Sequence, residues 1–364
     1  MNPKVKRILS ILFIAVSVSV VVIIAFSNKE MGNAWEAISR LDLHWIGGLF
    51  LCWLVYAMLE AAGTWNCLRR RGCKISLIKV FWTVLIGMYY SNITPSAAGG
   101  QPMQVNSLRK AGIPVGYGTL ALTIRFVTNQ FTVCMMTLVL FLVNREFVYS
   151  QLQGAIWAAR IGWLINFASV PLVLLAAFRK KWMMKAAEKL TALGARMRLI
   201  RNREASLERV SEVLTTYHEA LTELIHRPGE ILTQIGCSAV SLLGLTGSVV
   251  FAYYAFGQSG VPWIRVLTLS CLLFVSASYT PLPGASGAQE GGFLLYFAGI
   301  FKDGTIGLGL LVWRFFTYYL FLIAGVFTVL NERALLGLGK RKQKESAEEH
   351  GNEAELPEGN GSGD

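Results

Sequence analysis

Two arginines, Arg125 and Arg314, interrupt otherwise apolar stretches of this chain, and each is followed by a phenylalanine. Each stands roughly ten residues into its stretch, or ~15 Å at 1.5 Å per helical residue. That is near the middle of a hydrocarbon layer ~30 Å thick, where a charge is costly and by default marks function. Two turn-like segments precede them. One runs Pro95–Ser96–Ala97–Ala98–Gly99–Gly100–Gln101 and the other Pro283–Gly284–Ala285–Ser286–Gly287–Ala288–Gln289, both Pro-x-x-x-Gly-x-Gln. If helix resumes after each turn, its first backbone N–H groups and partial positive charge suit an anion such as phosphate. Gly99, Gly100 and Gly287 would let backbone approach a ligand, and Gln101 and Gln289 would donate or accept hydrogen bonds. Asn92, Thr94, Tyr279, Thr280 and Asn129 could line the same space, Asn129 one helical turn beyond Arg125. Two other roles stay open. The turn residues could simply shape tight turns, and the arginines could form structural ion pairs, with Glu60 and Glu290 as partners. Glu290 could equally carry a coupling proton or meet a cationic headgroup.

Other chemistries find little support. The four histidines (His44, His218, His226, His350) are dispersed, and the six cysteines have neither zinc-ligand spacing nor a disulfide pattern. No metal, no cofactor and no enzymatic activity are therefore expected, and no Asp-x-Asp motif supports a membrane-embedded transferase. Asn92–Ile93–Thr94 matches a glycosylation acceptor but lies in apolar surroundings.

The elements that must position these residues follow from hydropathy. The 364 residues are 54% hydrophobic and 15% charged, against ~25% charged in soluble domains. Apolar segments run over about 8–26, 43–68, 78–94, 115–143, 155–178, 229–256, 263–282 and 304–330. The first is too long for a signal peptide's apolar core and lacks a cleavage site, so it is read as a retained helix. The net charge of +12 comes from Lys and Arg clustered between apolar segments, the pattern of cytoplasmic loops rather than of a nucleic-acid binder. Within the basic stretch 179–228, Leu207, Val210, Leu214, Tyr217, Leu221 and Leu224 recur at helical spacing. It is read as an amphipathic cytoplasmic insert, resting on the bundle or docking to anionic lipid headgroups or a partner. The acidic, Gly-rich tail 336–364 is expected to be disordered.

Charge also orients the spans. Lys4, Lys6 and Arg7, the cluster Arg69 to Lys79, the 179–228 stretch and Lys340 to Lys344 are placed inside. The segments around 27–42, 144–153 and 257–262 are placed outside. The chain from 79 to about 112 must then begin and end inside, and 263–303 must begin and end outside, each as a hairpin tipped by one of the two turns. The expected fold is an all-α, polytopic membrane bundle of six full spans plus two re-entrant helical hairpins. Residues 1–335 form one membrane domain.

The turns belong to a longer repeat. At an offset of about 188, Ala111–Gly112–Ile113 corresponds to Ala298–Gly299–Ile300, Arg125–Phe126 to Arg314–Phe315, and the second span to the sixth. The copies, about 1–143 and 155–335, have opposite orientation by the charge argument. Inverted repeats with broken helices meeting at mid-depth are a recurring transporter plan, because non-helical backbone at that depth must face protein or a polar cavity.

The segments NITPSAAGGQ followed by LRKAG, and TPLPGASGAQEGGF, resemble signatures of the lysylphosphatidylglycerol synthase transmembrane, or flippase-like, family. The resemblance covers about residues 5–335. It implies a multi-pass protein of a prokaryotic cytoplasmic (inner) membrane that moves a polar-headgroup, phosphate-containing lipid between leaflets. Bifunctional members also carry a soluble aminoacyl-transfer domain after the last span. The present sequence ends about 30 residues beyond that span, so a stand-alone member without synthase activity is expected, with both termini cytoplasmic. The expected partners are a membrane lipid as substrate, anionic headgroups at the basic insert, and a lipid-synthesising enzyme. The alternative is a non-transporting membrane partner or regulator of such an enzyme.

Overall fold

In the computed structural model, the described residues are 41–178, 227–278, 280–302 and 304–336, with isolated positions between 184 and 222. The expected first span at 8–26, most of the 179–228 insert, Tyr279 and residues 337–364 lie outside them. The described residues form helices and turns with no strand. Leu43–Arg70 (α1) starts at Asp42, whose carboxylate accepts the His44 N–H at 2.9 Å, and ends on Arg69 and Arg70, which favour the negative end of the helix dipole. That N–H also holds the Asp42 carboxyl below its ordinary pKa. Leu77–Ile93 (α2) breaks at the first proline turn and resumes as Gly100–Lys110 (α3). Val115–Val143 (α4), Arg145–Leu152 (α5) and Ile156–Phe178 (α6) follow. Pro228–Ala255 (α7) opens with proline in its first turn, where no N–H is needed. Trp263–Ala277 (α8) breaks at the second turn and resumes as Ala288–Tyr296 (α9). Ile306–Leu330 (α10) contains a π-helical turn at Phe315–Tyr319, immediately after Arg314, and Glu332–Leu335 (α11) closes the described chain.

Four of these helices, α1, α4, α7 and α10, are long and apolar enough to cross a membrane, while α2 and α8, the arms before the turns, are shorter. Helix α5 lies where the charge-poor segment 144–153 reads as an outer loop. It forms because Val148 and Leu152 are buried against the larger core, a two-residue apolar face too short to register as a periodicity.

Contacts between helices sort the helix ends into two groups. Asp42 N–H bonds the Ala255 carbonyl (3.1 Å), while Arg71 pairs with Glu230 at 2.8 Å, so neighbours α1 and α7 are antiparallel. Gln258 Oε1 accepts from Lys302 N, and the Gln151 side chain donates to the Ala298 carbonyl, placing these residues with Asp42 and Ala255. Lys110 pairs with Glu332 at the opposite end of α10 from Lys302, and hence at the same end of the bundle as Arg71 and Glu230. The chain from 71 to 110 thus begins and finishes at one end, and the chain from 258 to 302 at the other.

Each turn-bearing pair of helices has its own apolar core. Val80, Val84, Leu108, Ile124 and Ala61 fill the first, and Leu269, Leu273, Phe293, Phe297 and Trp313 the second. Small residues bring helices together in the way membrane bundles use them. Gly244 of α7 faces the Cys52 carbonyl of α1, and Gly162 of α6 faces the α8 backbone. A Cβ at Gly162 would stand 2.6 Å from Ser276 Cα. Backbone cannot yield there, so Gly162→Ala is expected to cost ~1–3 kcal/mol by overpacking, read as a lower unfolding temperature in detergent. An unchanged temperature would show that α6 moves freely against α8.

Candidate functional site

The two turns share one backbone design. Pro95–Ala97 and Pro283–Ala285 are both single 3₁₀ turns, and helix resumes at Gly100 and at Ala288, each pair separated by the 188-residue offset. Ser96 and Gly284 take φ of 51° and 61°, and Ala97 and Ala285 take 56° and 52°. A left-handed conformation costs a non-glycine residue ~1–3 kcal/mol, so the surrounding contacts must impose it three times. The turns touch one another, and the Tyr318 hydroxyl donates to the Asn92 carbonyl across the junction at 3.4 Å.

Beside this junction is a cavity of about 690 Å³, within the ~300–1,000 Å³ typical of ligand sites. Its wall includes Asn92, Gly100 and Gln101 from the first hairpin, and Thr280 and Gln289 from the second. Helices α1, α4 and α10 add Glu60, Arg125, Asn129 and Arg314. The remaining residues expected at the site stand behind the wall. Thr94 donates its hydroxyl to the Tyr90 carbonyl (2.6 Å) and accepts the Gly99 N–H (2.9 Å), closing the first turn. Gly287, at φ 86°, gives its N–H to Glu290 Oε2 at 2.6 Å. The turn glycines serve different ends. Gly100 leaves room for close packing of α3 on α2, because a Cβ there would come within 2.9 Å of the Gly87 carbonyl. Gly287 is needed for its backbone angle, with open space around it.

Both arginines are buried and both face a carboxylate. Arg125, 8% exposed, places Nε 3.3 Å from Glu60 Oε2 and donates from its two Nη atoms to Thr64 Oγ1 (3.1 Å) and Gln104 Oε1 (2.8 Å). Ser241 of α7 donates to the other Glu60 oxygen at 3.2 Å. Arg314, 4% exposed, donates through Nε to Glu290 Oε1 at 2.6 Å and through Nη2 to the Gly284 carbonyl at 3.1 Å. Its guanidinium also lies 4.8 Å from the centre of the Tyr318 ring, a cation–π contact. The pairs named from sequence are therefore the pairs in contact, but their surroundings differ. Arg125 is held from α1 and α3, whereas Arg314 is held by its own hairpin.

Several residues in the wall, and Thr64 behind it, carried no sequence signal strong enough to single them out. Gln104 stands one helical turn after Gln101 and Thr64 one turn after Glu60, a spacing that could have placed them on the same faces. Asn166 is a lone amide in an apolar helix and accepts from the Gln130 side chain at 2.7 Å. Trp313 packs on Phe293 with ring centres 5.0 Å apart, and its buried indole N–H has no hydrogen-bond partner among the described residues.

Such a wall, rich in amides and hydroxyls and placed where two helices break, can hold a polar group inside an apolar bundle. Comparison with known proteins agrees with the membrane character. A "UPF0104 membrane protein" of Archaeoglobus fulgidus is 24% identical over 345 residues, covering 87% of this chain and 94% of that protein. Residues 8–325 match the family described as the lysylphosphatidylglycerol synthase TM region. With that match and, among the described residues, four helices able to cross a membrane, the chain belongs to the lysylphosphatidylglycerol synthase TM family and is a multi-pass membrane protein.

Proposed function

We infer that the protein is a lipid flippase, moving a phosphate-containing, polar-headgroup lipid between leaflets. The observation that carries this reading is the cavity of about 690 Å³ where the two turns meet, with two arginines in its wall. A polar space with broken helices at its edge is what a headgroup crossing an apolar layer requires. Reconstitution tests it. Proteoliposomes carrying a lipid with a fluorescent acyl chain are treated with an impermeant quencher, and the protein is expected to raise the quenchable fraction from half towards all. Equal quenching in protein-free vesicles for every headgroup would remove the reading.

The finer architecture belongs to the same proposal. It comprises six full spans, two re-entrant hairpins related as an inverted repeat, cytoplasmic termini and an inner-membrane location. The grouping of helix ends supports it, since the hairpin containing Gly99 starts and finishes beside Arg71 and Lys110, and the one containing Gly287 beside Gln258 and Lys302. Single cysteines at positions 109 and 302, in a background without the six native cysteines, are expected to react with an impermeant maleimide from opposite sides, 109 from the cytoplasm. Labelling from one side would overturn the inverted arrangement. The basic insert is assigned to anionic headgroups or to a lipid-synthesising enzyme, with release by salt as its signature.

A second reading draws on one observation, the carboxylate beside each arginine. In it the pairs only hold the bundle together, and the protein is a non-transporting partner of a lipid-modifying enzyme. It predicts no headgroup movement in vesicles, and cellular phenotypes of the enzyme partnership that survive neutralisation of both partners of a pair.

A further inference from the structure

Each charge in the cavity wall already faces an opposite charge. Among the described residues, three charged ones line it: Glu60, Arg125 and Arg314. Glu60 stands 3.3 Å from Arg125, and Arg314 is matched by Glu290 behind the wall. What the wall offers freely is neutral. The side-chain amides of Asn92, Gln101, Asn129 and Gln289 all line the cavity. Among the described residues none of the four is hydrogen-bonded through its side chain, and Asn129 Oδ1 is buried without a partner. The Trp313 indole N–H, likewise buried and without a partner among the described residues, belongs to the same wall.

Three kinds of headgroup can be matched to these groups by donor and acceptor count. A bare phosphate only accepts, so it leaves the amide oxygens unmatched. An ammonium only donates and needs a carboxylate, and among the described residues the one carboxylate in the wall, Glu60, already faces Arg125. A hydroxyl does both, and several hydroxyls on one headgroup satisfy amide N–H₂, amide C=O and indole N–H together. The Tyr318, Trp313 and Phe321 rings in the same wall add apolar faces of the kind that the C–H surface of a polyol or sugar covers.

We propose that the cavity takes an uncharged, hydroxyl-rich headgroup, a polyol or sugar, joined to its lipid anchor through at most one phosphate. This rests on the reading of the cavity as a lipid-transport site. It departs from the aminoacylated, cationic headgroup that the family description names.

Binding and movement are read separately. The purified full chain in detergent is titrated with short-chain phosphatidylinositol, glucosyl diacylglycerol, phosphatidic acid and lysyl-phosphatidylglycerol. The shift in unfolding temperature serves as readout. The two hydroxyl-rich lipids are expected to bind at least ~10-fold tighter than the other two, since a site built to bond several hydroxyls discriminates strongly against headgroups that supply too few of them. Asn129→Leu and Gln289→Leu, which keep size and lose hydrogen bonding, are expected to shrink that preference. Equal binding of phosphatidic acid, or preference for the lysyl lipid, overturns the proposal, as does a preference unchanged in both variants. The same four headgroups on fluorescent lipids are then assayed in proteoliposomes. Preferred binding of phosphatidylinositol with no movement of any lipid would sustain the headgroup class and overturn the flippase reading. Movement led by the lysyl lipid would do the reverse.

Discussion

Glu290→Gln is expected to lower the stability of the protein by ~3–5 kcal/mol, the cost of leaving one member of a buried ion pair uncompensated. The carboxylate is fully buried and works on both oxygens. Oε1 takes the Arg314 Nε–H and Oε2 takes the Gly287 N–H, each at 2.6 Å, while Arg314 reaches the Gly284 carbonyl. One pair thus fixes two points of a turn that holds Gly284, Ala285 and Gly287 at positive φ. Arg314→Gln alone should cost a comparable amount, and the double variant Arg314→Gln, Glu290→Gln should regain much of it, because no lone charge remains. Unfolding in detergent, followed by size-exclusion fluorescence, measures all three. If Arg314 also meets the headgroup's phosphate, the double variant folds and does not transport. Recovery of both folding and transport would make this arginine a brace for the turn and nothing more.

What could be read without the structure was set by how local each signal is. The proline turns, the restart of helix and the arginines are short-range patterns, so Pro95 and Pro283, Gly100 and Ala288, and Arg125 and Arg314 could be aligned from spacing alone. The partners Glu60 and Glu290 were legible because charges are so scarce in apolar stretches that few pairings exist. The asymmetry between the two arginines was not legible. Glu60 reaches Arg125 from a helix more than sixty residues earlier and Glu290 reaches Arg314 from the adjoining hairpin, a difference made by packing. Nor do equivalent positions guarantee equivalent backbone. Gly99 and Gly287 align in sequence, yet Gly99 has φ −80° and is hemmed in by Thr94, while Gly287 has φ 86° and open space. Helix α5 was hidden for a simpler reason, because it buries only Val148 and Leu152.

Arg125 should respond differently from Arg314, and the difference separates binding from bracing. Its guanidinium stands in the cavity wall, with the longest of its contacts, 3.3 Å, on the carboxylate and shorter ones on the neutral Thr64 and Gln104. A phosphate arriving at the cavity would compete with Glu60 for a cation that two neutral acceptors already orient, and the planar fork can serve both. Lysine keeps the charge but cannot contact Glu60, Thr64 and Gln104 in one plane, so Arg125→Lys is expected to transport at an intermediate rate. Arg125→Gln should fall to near background, because loss of a buried charge partner costs ~2–5 kcal/mol, or ~30-fold and more in affinity. Stability is the control. Arg125→Gln leaves Glu60 buried and unpaired, and adding Glu60→Gln should restore the unfolding temperature. The decisive measurement is headgroup movement by that restored double variant. A folded protein that does not move lipid assigns the guanidinium to the headgroup. A folded protein that transports at the wild-type rate removes Arg125 from the binding site and leaves the four unengaged amides to hold the headgroup without it.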